Sequence, residues 1–443
     1  MGVALLDSLL GDGSIPDDPA SDWFVDVRRR ASEALVRDGL PTAREEAWKY
    51  TNLRSLAQRR HARGDEQAAS RAIDAATIAL PGADGPRVVF VNGVYRADLS
   101  RWSAIEGVSF QSFSEVIAGD AQAERVLLTR RFDSKAQAFA RLNSALVLDG
   151  PVIRVAAGVG VPELVHVVYV GAATGTDIAW QARALVELGE GASLRLVEHH
   201  VGEAGQADLG NTVSQFALRA HARLDLLQLQ TMPESGTLIR RSEAVLEADA
   251  QLHVRTLELG GLLVRHDLAV ELAGDRARLH SRGVFALRGR QHVDTHLDVR
   301  HVARDTVSDL LWRGVADQRS RGVFHGAITV AAGADGADAN LSNKNLLLSA
   351  QAEIDTQPVL EIHADEVKAA HGATVGQLDE HALFYLRARG LPMPVARALL
   401  MLAFCRVAVD SIENVALHEH IDALLLERLP HAAMDTDEAQ SGS

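Results

Sequence analysis

Histidine supplies most of the reactive side chains in this sequence, with 18 copies against a single cysteine, Cys405. A neutral imidazole ligates transition metals and moves protons near neutral pH, so the spacing of the histidines decides which chemistry is open. His199 and His200 are adjacent on a β-rich stretch, where neighbouring side chains leave opposite faces, so they make a poor ligand pair. His292 and His296 would come close enough to act as a metal pair only on a helix. Val293, Leu297 and Val299 favour a strand, which sets the two about 13 Å apart at ~3.3 Å per residue. These four, with His253, His280 and His301, read as ordinary coil-lining or surface histidines. His371 differs in its context, a run from Ile362 through Lys368 and His371 to Gly376 that is followed closely by Leu383 to Gly390.

Other chemistries lack their residues. The only lysines are Lys49, Lys135, Lys344 and Lys368, and none stands in a phosphate-binding Gly-Lys-Ser/Thr loop, so ATP hydrolysis is not expected. No nucleophile elbow or zinc-protease helix signature is present. Asp335 to Asn340 resembles a calcium loop loosely but lacks the downstream bidentate Glu, and reads as a solvated turn. Cys405, between Leu402 and Val407, reads as a small buried hydrophobe, and one thiol cannot hold an iron-sulfur cluster alone. The net charge of -14, with scattered arginines, argues against a nucleic-acid partner. A lone cysteine fits a reducing cytosol, Met1 to Pro19 does not read as a secretory signal, and no apolar stretch reaches the roughly 20 residues of a membrane span. The expectation is a cytoplasmic protein with no membrane association.

The elements that must position these groups change character along the chain. Residues 1–82 read as helical: Trp23, Phe24, Val27, Ala31, Ala34 and Leu35 share a face behind Ser21 as N-cap, and Thr42 to Glu45 has the form of a capping box that predicts a second helix toward Tyr50. Residues 83–150 form a mixed lead-in, with a β-rich run from Val88 to Tyr95 broken by Asn92-Gly93 and a helical patch over Ala136 to Leu142. Over residues 151–376, an Ala-x-Leu pattern recurs at Ala192, Ala222, Ala250 and Ala277, at intervals of roughly 27 to 30 residues. That period predicts a β-solenoid whose ends the terminal helical segments would cover. Residues 377–432 return to helix. Asp379 caps a helix holding Leu383, Phe384 and Leu386. Val395, Leu399, Leu402, Val409 and Ile412 line an apolar seam, and Ile421, Leu424, Leu425 and Leu429 mark a last helix. Residues 433–443 read as a disordered tail.

The run from Leu360 to Gly390, with Leu-Glu-Ile, Ala-Asp-Glu-Val-Lys, His-Gly-Ala-Thr-Val-Gly and Leu-Phe-Tyr-Leu-Arg-Ala-Arg-Gly in order, resembles the C-terminal signature of the SufD family of the SUF iron-sulfur cluster assembly system. Thr42 to Leu53, Val89 to Ser100 and Asn343 to Ser349 are similar to further family motifs. The resemblance implies a mainly β protein, a right-handed parallel β-helix between N- and C-terminal helical regions. It also implies a non-catalytic scaffold that pairs with SufB through the β-helix end and docks the ATPase SufC through its C-terminal helices. Nucleotide-driven SufC dimerisation would then rearrange the SufB interface and let a cluster form there.

His371 matches the family's interface histidine, which the resemblance implies as a ligand to transient iron or an iron-sulfur cluster shared with SufB; no cofactor is expected to stay on this chain alone. Several relatives carry a cysteine where this chain has Ala369, so a mechanism that needs that thiol does not transfer. A homodimer of the isolated chain is also allowed. The alternative from another class is a parallel β-helix enzyme acting on acidic polysaccharide, which rests on fold analogy alone.

Overall fold

The computed structural model describes residues 4–11, 21–119, 128 and 130–429. The expected tail over 433–443 and most of the N-terminal leader reading lie outside them. The chain is mainly β and winds into a β-solenoid of about 8 turns. Each coil contributes one strand to each of two parallel sheets. The first sheet runs through β5 (Pro151–Val155), β7 (Ile178–Leu188), β9 (Leu209–Leu218), β11 (Thr237–Leu246), β13 (Leu263–Leu272), β15 (His292–His301), β17 (Arg321–Val330) and β19 (Glu353–Ile362). The second runs through β6 (Gly160–Gly171), β8 (Ser193–Gly202), β10 (Arg223–Gln230), β12 (Gln251–Glu258), β14 (Arg278–Leu287), β16 (Val307–Ala316), β18 (Asp338–Leu347) and β20 (Lys368–Gly376).

The Ala-x-Leu repeat is the corner of this coil. Its leucines pair from coil to coil, Leu194 with Leu224, Leu224 with Leu252 and Leu252 with Leu279, and all four are buried. The alanines before them are 0% exposed, because each follows a left-handed residue that turns the chain: Gly191, His221, Asp249 and Arg276. A larger side chain would not fit inside so tight a corner. The corners also bond to one another. The His221 N–H donates to Ala248 O (2.8 Å), that of Asp249 to Asp275 O (2.8 Å) and that of Gly336 to Glu366 O (2.7 Å). The Asp335 to Asn340 stretch is therefore a solenoid corner leading into β18, as the turn reading expected.

The interior is apolar along most columns but carries a bonded polar seam. Glu198 accepts from Ser214 (2.6 Å) and Gln228 (2.8 Å), and Gln228 also donates to Ser242 (2.9 Å). Arg240 pairs with Glu258, both 0% exposed, and contacts His266 Nδ1 at 3.1 Å. His199 and His200 do fall on opposite faces: His200 meets Thr212 and stacks on Tyr169, whereas His199 stacks on His166. His292 and His296 lie on strand β15, as expected.

The helical regions cover the sheet faces rather than both solenoid ends, which corrects the expectation. Leu5, Leu9, Leu35, Trp48 and Phe139 pack on Ala179, Leu209 and Ile239 of the first sheet. Met401, Leu402, Cys405, Ile421 and Leu425 pack on Leu227, Leu229, Leu257, Leu259 and Val284 of the second. Both sheets carry apolar residues on their outer faces, so burying those faces outweighs covering an end. The first coil is closed differently, by short antiparallel strands: β3 (Val94–Tyr95) on β2 (Arg87–Val91), and β4 (Val108–Ser112) on β5. The Asn92-Gly93 turn has positive φ at both residues (47° and 84°), as a tight hairpin requires.

Three local expectations change. Helix Asp22–Asp38 forms, but Ser21 makes no capping bond, and its hydroxyl instead donates to Ala118 O and Gly119 O. The second helix toward Tyr50 shrinks to a 3-10 turn, Glu46–Trp48. The Glu45 carboxylate accepts from the Thr42 N–H and from the Thr42 hydroxyl (2.8 Å), but Thr42 Oγ1 accepts from the Arg44 N–H (3.3 Å) and the Glu45 N–H goes to Thr42 O, so the capping box is incomplete. Tertiary contacts hold the segment after it. Trp48 Nε1 donates to Ala136 O (2.9 Å), Arg265 donates to Ala47 O (2.7 Å), and the Arg265 guanidinium lies over the Trp48 ring. In helix Met393–Arg406 the buried seam runs through Ala396, Met401, Leu402 and Cys405, leaving Val395 and Leu399 exposed.

Candidate interaction site at the open end of the solenoid

The column that holds His371 begins as ordinary core. Leu196, Leu226, Val254, Ser281, Leu310 and Leu341 pair in register through successive coils, and the next rung is His371 on β20. Its neighbours Ala369, Ala373 and Val375 continue the columns of Ala339, Asn343 and Asn345. On the opposite sheet, Ile354, Thr356, Pro358, Leu360 and Ile362 of β19 continue Gly322, Phe324, Gly326, Ile328 and Val330. Strand alternation gives all of these the inward, core-facing parity.

Burial changes abruptly at this coil. Ala339, Leu341, Asn343 and Asn345 are buried, yet Ala369, His371 and Val375 one coil later are exposed and Ala373 is only half-buried. Among the described residues no further coil lies on them, since β19 and β20 are the terminal strands of their sheets. Their outer backbone edges are unpaired, a template on which another chain can add strands. Just beneath the rim, Asn345 donates to Asn343 Oδ1 (2.6 Å) and to Thr374 O (3.1 Å), and Thr356 donates to Asn343 Oδ1 (2.7 Å). This bonded cluster fixes the last coil below an otherwise apolar surface with one imidazole at its centre.

His371 has no hydrogen bond or ion pair from its ring among the described residues. Among those residues, too, no three His, Cys, Asp or Glu side chains converge as a metal cage. His371 can therefore offer one donor, and a metal there would need its other ligands from elsewhere. The second sulfur option is closed within the chain. Cys405 is fully buried under the C-terminal helices, and burial pushes its thiol up to about 12.

A second surface lies on the C-terminal helices. In helix Glu380–Ala388, capped by Asp379 through the N–H groups of His381 and Ala382, no residue is buried. Phe384 is 74% exposed and Tyr385 57%, with Val395, Leu399, Val407 and Val415 also open. An apolar patch of this kind marks an interaction surface more often than a free one.

Comparison with known proteins places the chain in one family. Residues 170–404 match the family described as SUF system FeS cluster assembly, SufBD core domain, and residues 14–167 match the SufBD protein N-terminal region. The chain belongs to the SufBD family. It is 29% identical to the iron-sulfur cluster assembly protein SufD of Escherichia coli over 90% of this chain and 92% of that one. An iron-sulfur cluster assembly SufBD family protein of Synechocystis is 28% identical over 89% of this chain and 88% of its own length. Membership in the SufBD family gives the chain a role in SUF iron-sulfur cluster assembly and displaces the polysaccharide-cleaving alternative. Among the described residues, no helix is long and apolar enough to cross a membrane.

The sequence singled out His371 but not the row around it. The signal was present, because the paired columns run on past Ala277 to reach Ala369 and His371. It was hidden by the replacement of Leu with Ser308 and Ala339 in the repeat column.

Proposed function

We propose that this SufBD-family chain is a non-catalytic scaffold that pairs with SufB across the open end of its solenoid and docks SufC on its C-terminal helices. The observation that carries the reading is the asymmetry of the two solenoid ends: antiparallel strands close the first coil, whereas the last leaves a core-facing row uncovered. A partner solenoid stacked there would extend both sheets and bury His371 in a core-like setting. His371 then offers a neutral imidazole to iron or a nascent cluster, the cargo of assembly, with the thiolates supplied by SufB. The exposed Phe384 and Tyr385 face gives SufC an apolar platform from which ATP-driven motion can reach the same end of the solenoid.

Co-expression with SufB and SufC tests the pairing, and a stable ternary complex is expected. Failure to recover one removes the scaffold reading. His371→Ala tests the ligand: the complex should survive while cluster assembly falls. Undiminished assembly in an intact complex would leave His371 as a packing residue only.

A further inference from the structure

Away from the open end, two histidines on adjacent coils stand close enough to share one metal ion. On the outer face of the second sheet, Asp225, His253, His280 and Asp309 occupy one column on four successive coils, paired in direct register. Asp225 Oδ1 lies 3.0 Å from His253 Nδ1, and Asp309 Oδ2 lies 3.9 Å from His280 Nδ1. At His253 the carboxylate is within hydrogen-bond distance of Nδ1, the arrangement that fixes the proton there and leaves Nε2 as a free donor, whereas Asp309 faces His280 Nδ1 from beyond that distance. The two rings stand between the carboxylates with their centroids 4.9 Å apart. An ion about 2.1 Å from each Nε2, at a right or tetrahedral angle, sets two imidazole centroids about 4.5 to 5.3 Å apart.

We propose that His253 and His280 bind one divalent first-row transition-metal ion through their Nε2 atoms, with Asp225 as the orienting partner of His253 and water completing the coordination. The His296 and His325 pair on the other sheet has similar ring spacing, 4.8 Å, but His296 spends its Nε2 on Asp294. The His166 and His199 pair is buried, with His166 Nε2 bonded to His199. At the proposed clip the side chains of His253 and His280 are 21% and 38% exposed, which leaves an entry path. Arg223 lies 3.5 Å from His253 Nδ1 and pairs with Asp225, and Arg282 pairs with Asp309. These arginines offset the carboxylates, so affinity rests on the imidazoles and the ion is exchangeable. This site is independent of SufB pairing and of His371.

Calorimetric titration of the untagged full chain with Ni2+ tests it. One binding event should be lost in His253→Gln and equally in His280→Gln, with thermal unfolding unchanged in both. Asp225→Asn should weaken that event tenfold or more. His221→Gln, at an exposed histidine outside the column, should retain it. Undiminished binding in both glutamine variants, or loss in only one of them, would overturn the paired site.

Discussion

Val375→Glu is the sharpest perturbation of the proposed pairing surface. Val375 is 42% exposed on the terminal strand and continues the inward column of Asn345. In the free chain a glutamate there stays hydrated, and stability should change by no more than about 0.5 kcal/mol. Under a stacked partner coil the outcome differs. The valine surface still open, roughly 65 Å², contributes about 1.5 kcal/mol to pairing at ~25 cal/mol per Å². The glutamate must also become neutral, and carrying its proton from an ordinary pKa near 4.3 to pH 7 costs about 4 kcal/mol. The sum, about 5 kcal/mol, weakens SufB binding by three to four powers of ten. Measuring Kd for purified SufB by calorimetry or surface binding tests this, with Val36→Glu as control, since Val36 is 71% exposed on helix Asp22–Asp38. A Kd within tenfold of the wild-type value, with the free chain equally stable, would refute burial of this row by SufB.

Two further predictions concern the interior. Arg240→Met leaves Glu258 buried without its cation and should destabilise the fold by about 3 to 5 kcal/mol, whereas adding Glu258→Leu should restore most of that; urea unfolding of the two variants reads the difference. His301 is bonded to Thr306 and Ser308, and burial pushes it down to about 4, below the ~6.5 of an unfolded chain. The unfolded state therefore binds the extra proton, so this contribution is complete above pH ~6.5 and about 3 kcal/mol is lost as pH falls through 4. Denaturant midpoints between pH 7.5 and 4 should fall less steeply in His301→Gln than in the wild-type chain.

The solenoid was legible in the sequence because its corners impose a local demand that recurs over successive coils. In four of them a left-handed residue is followed by a small buried one and then by inward-facing leucine, and Ala192, Ala222, Ala250 and Ala277 record that demand directly. The terminal helices were legible for a similar reason, since Asp379 and the apolar spacing of Ile421 and Leu425 act within a few residues of one another. Where local signals met a stronger tertiary contact, they lost. The Thr42 to Glu45 box yields only a short turn, because Ala47 and Trp48 are held by Arg265 on the sheet and by Ala136.

The candidate site divides in the same way. His371 could be named from the residues around it, and a chain with one cysteine cannot supply a cluster's thiolates by itself. That His371 ends a core column, with no coil beyond it, depends on registers between residues about thirty positions apart and on where the winding stops. The pairing of His253 with His280 likewise comes from stacking of successive coils, which no short-range spacing encodes. Residue identity set which groups could do chemistry. Only the stacking of coils decided which of them meet and which are left uncovered, because in a parallel solenoid every side-chain neighbour across the sheet is a full turn away along the chain.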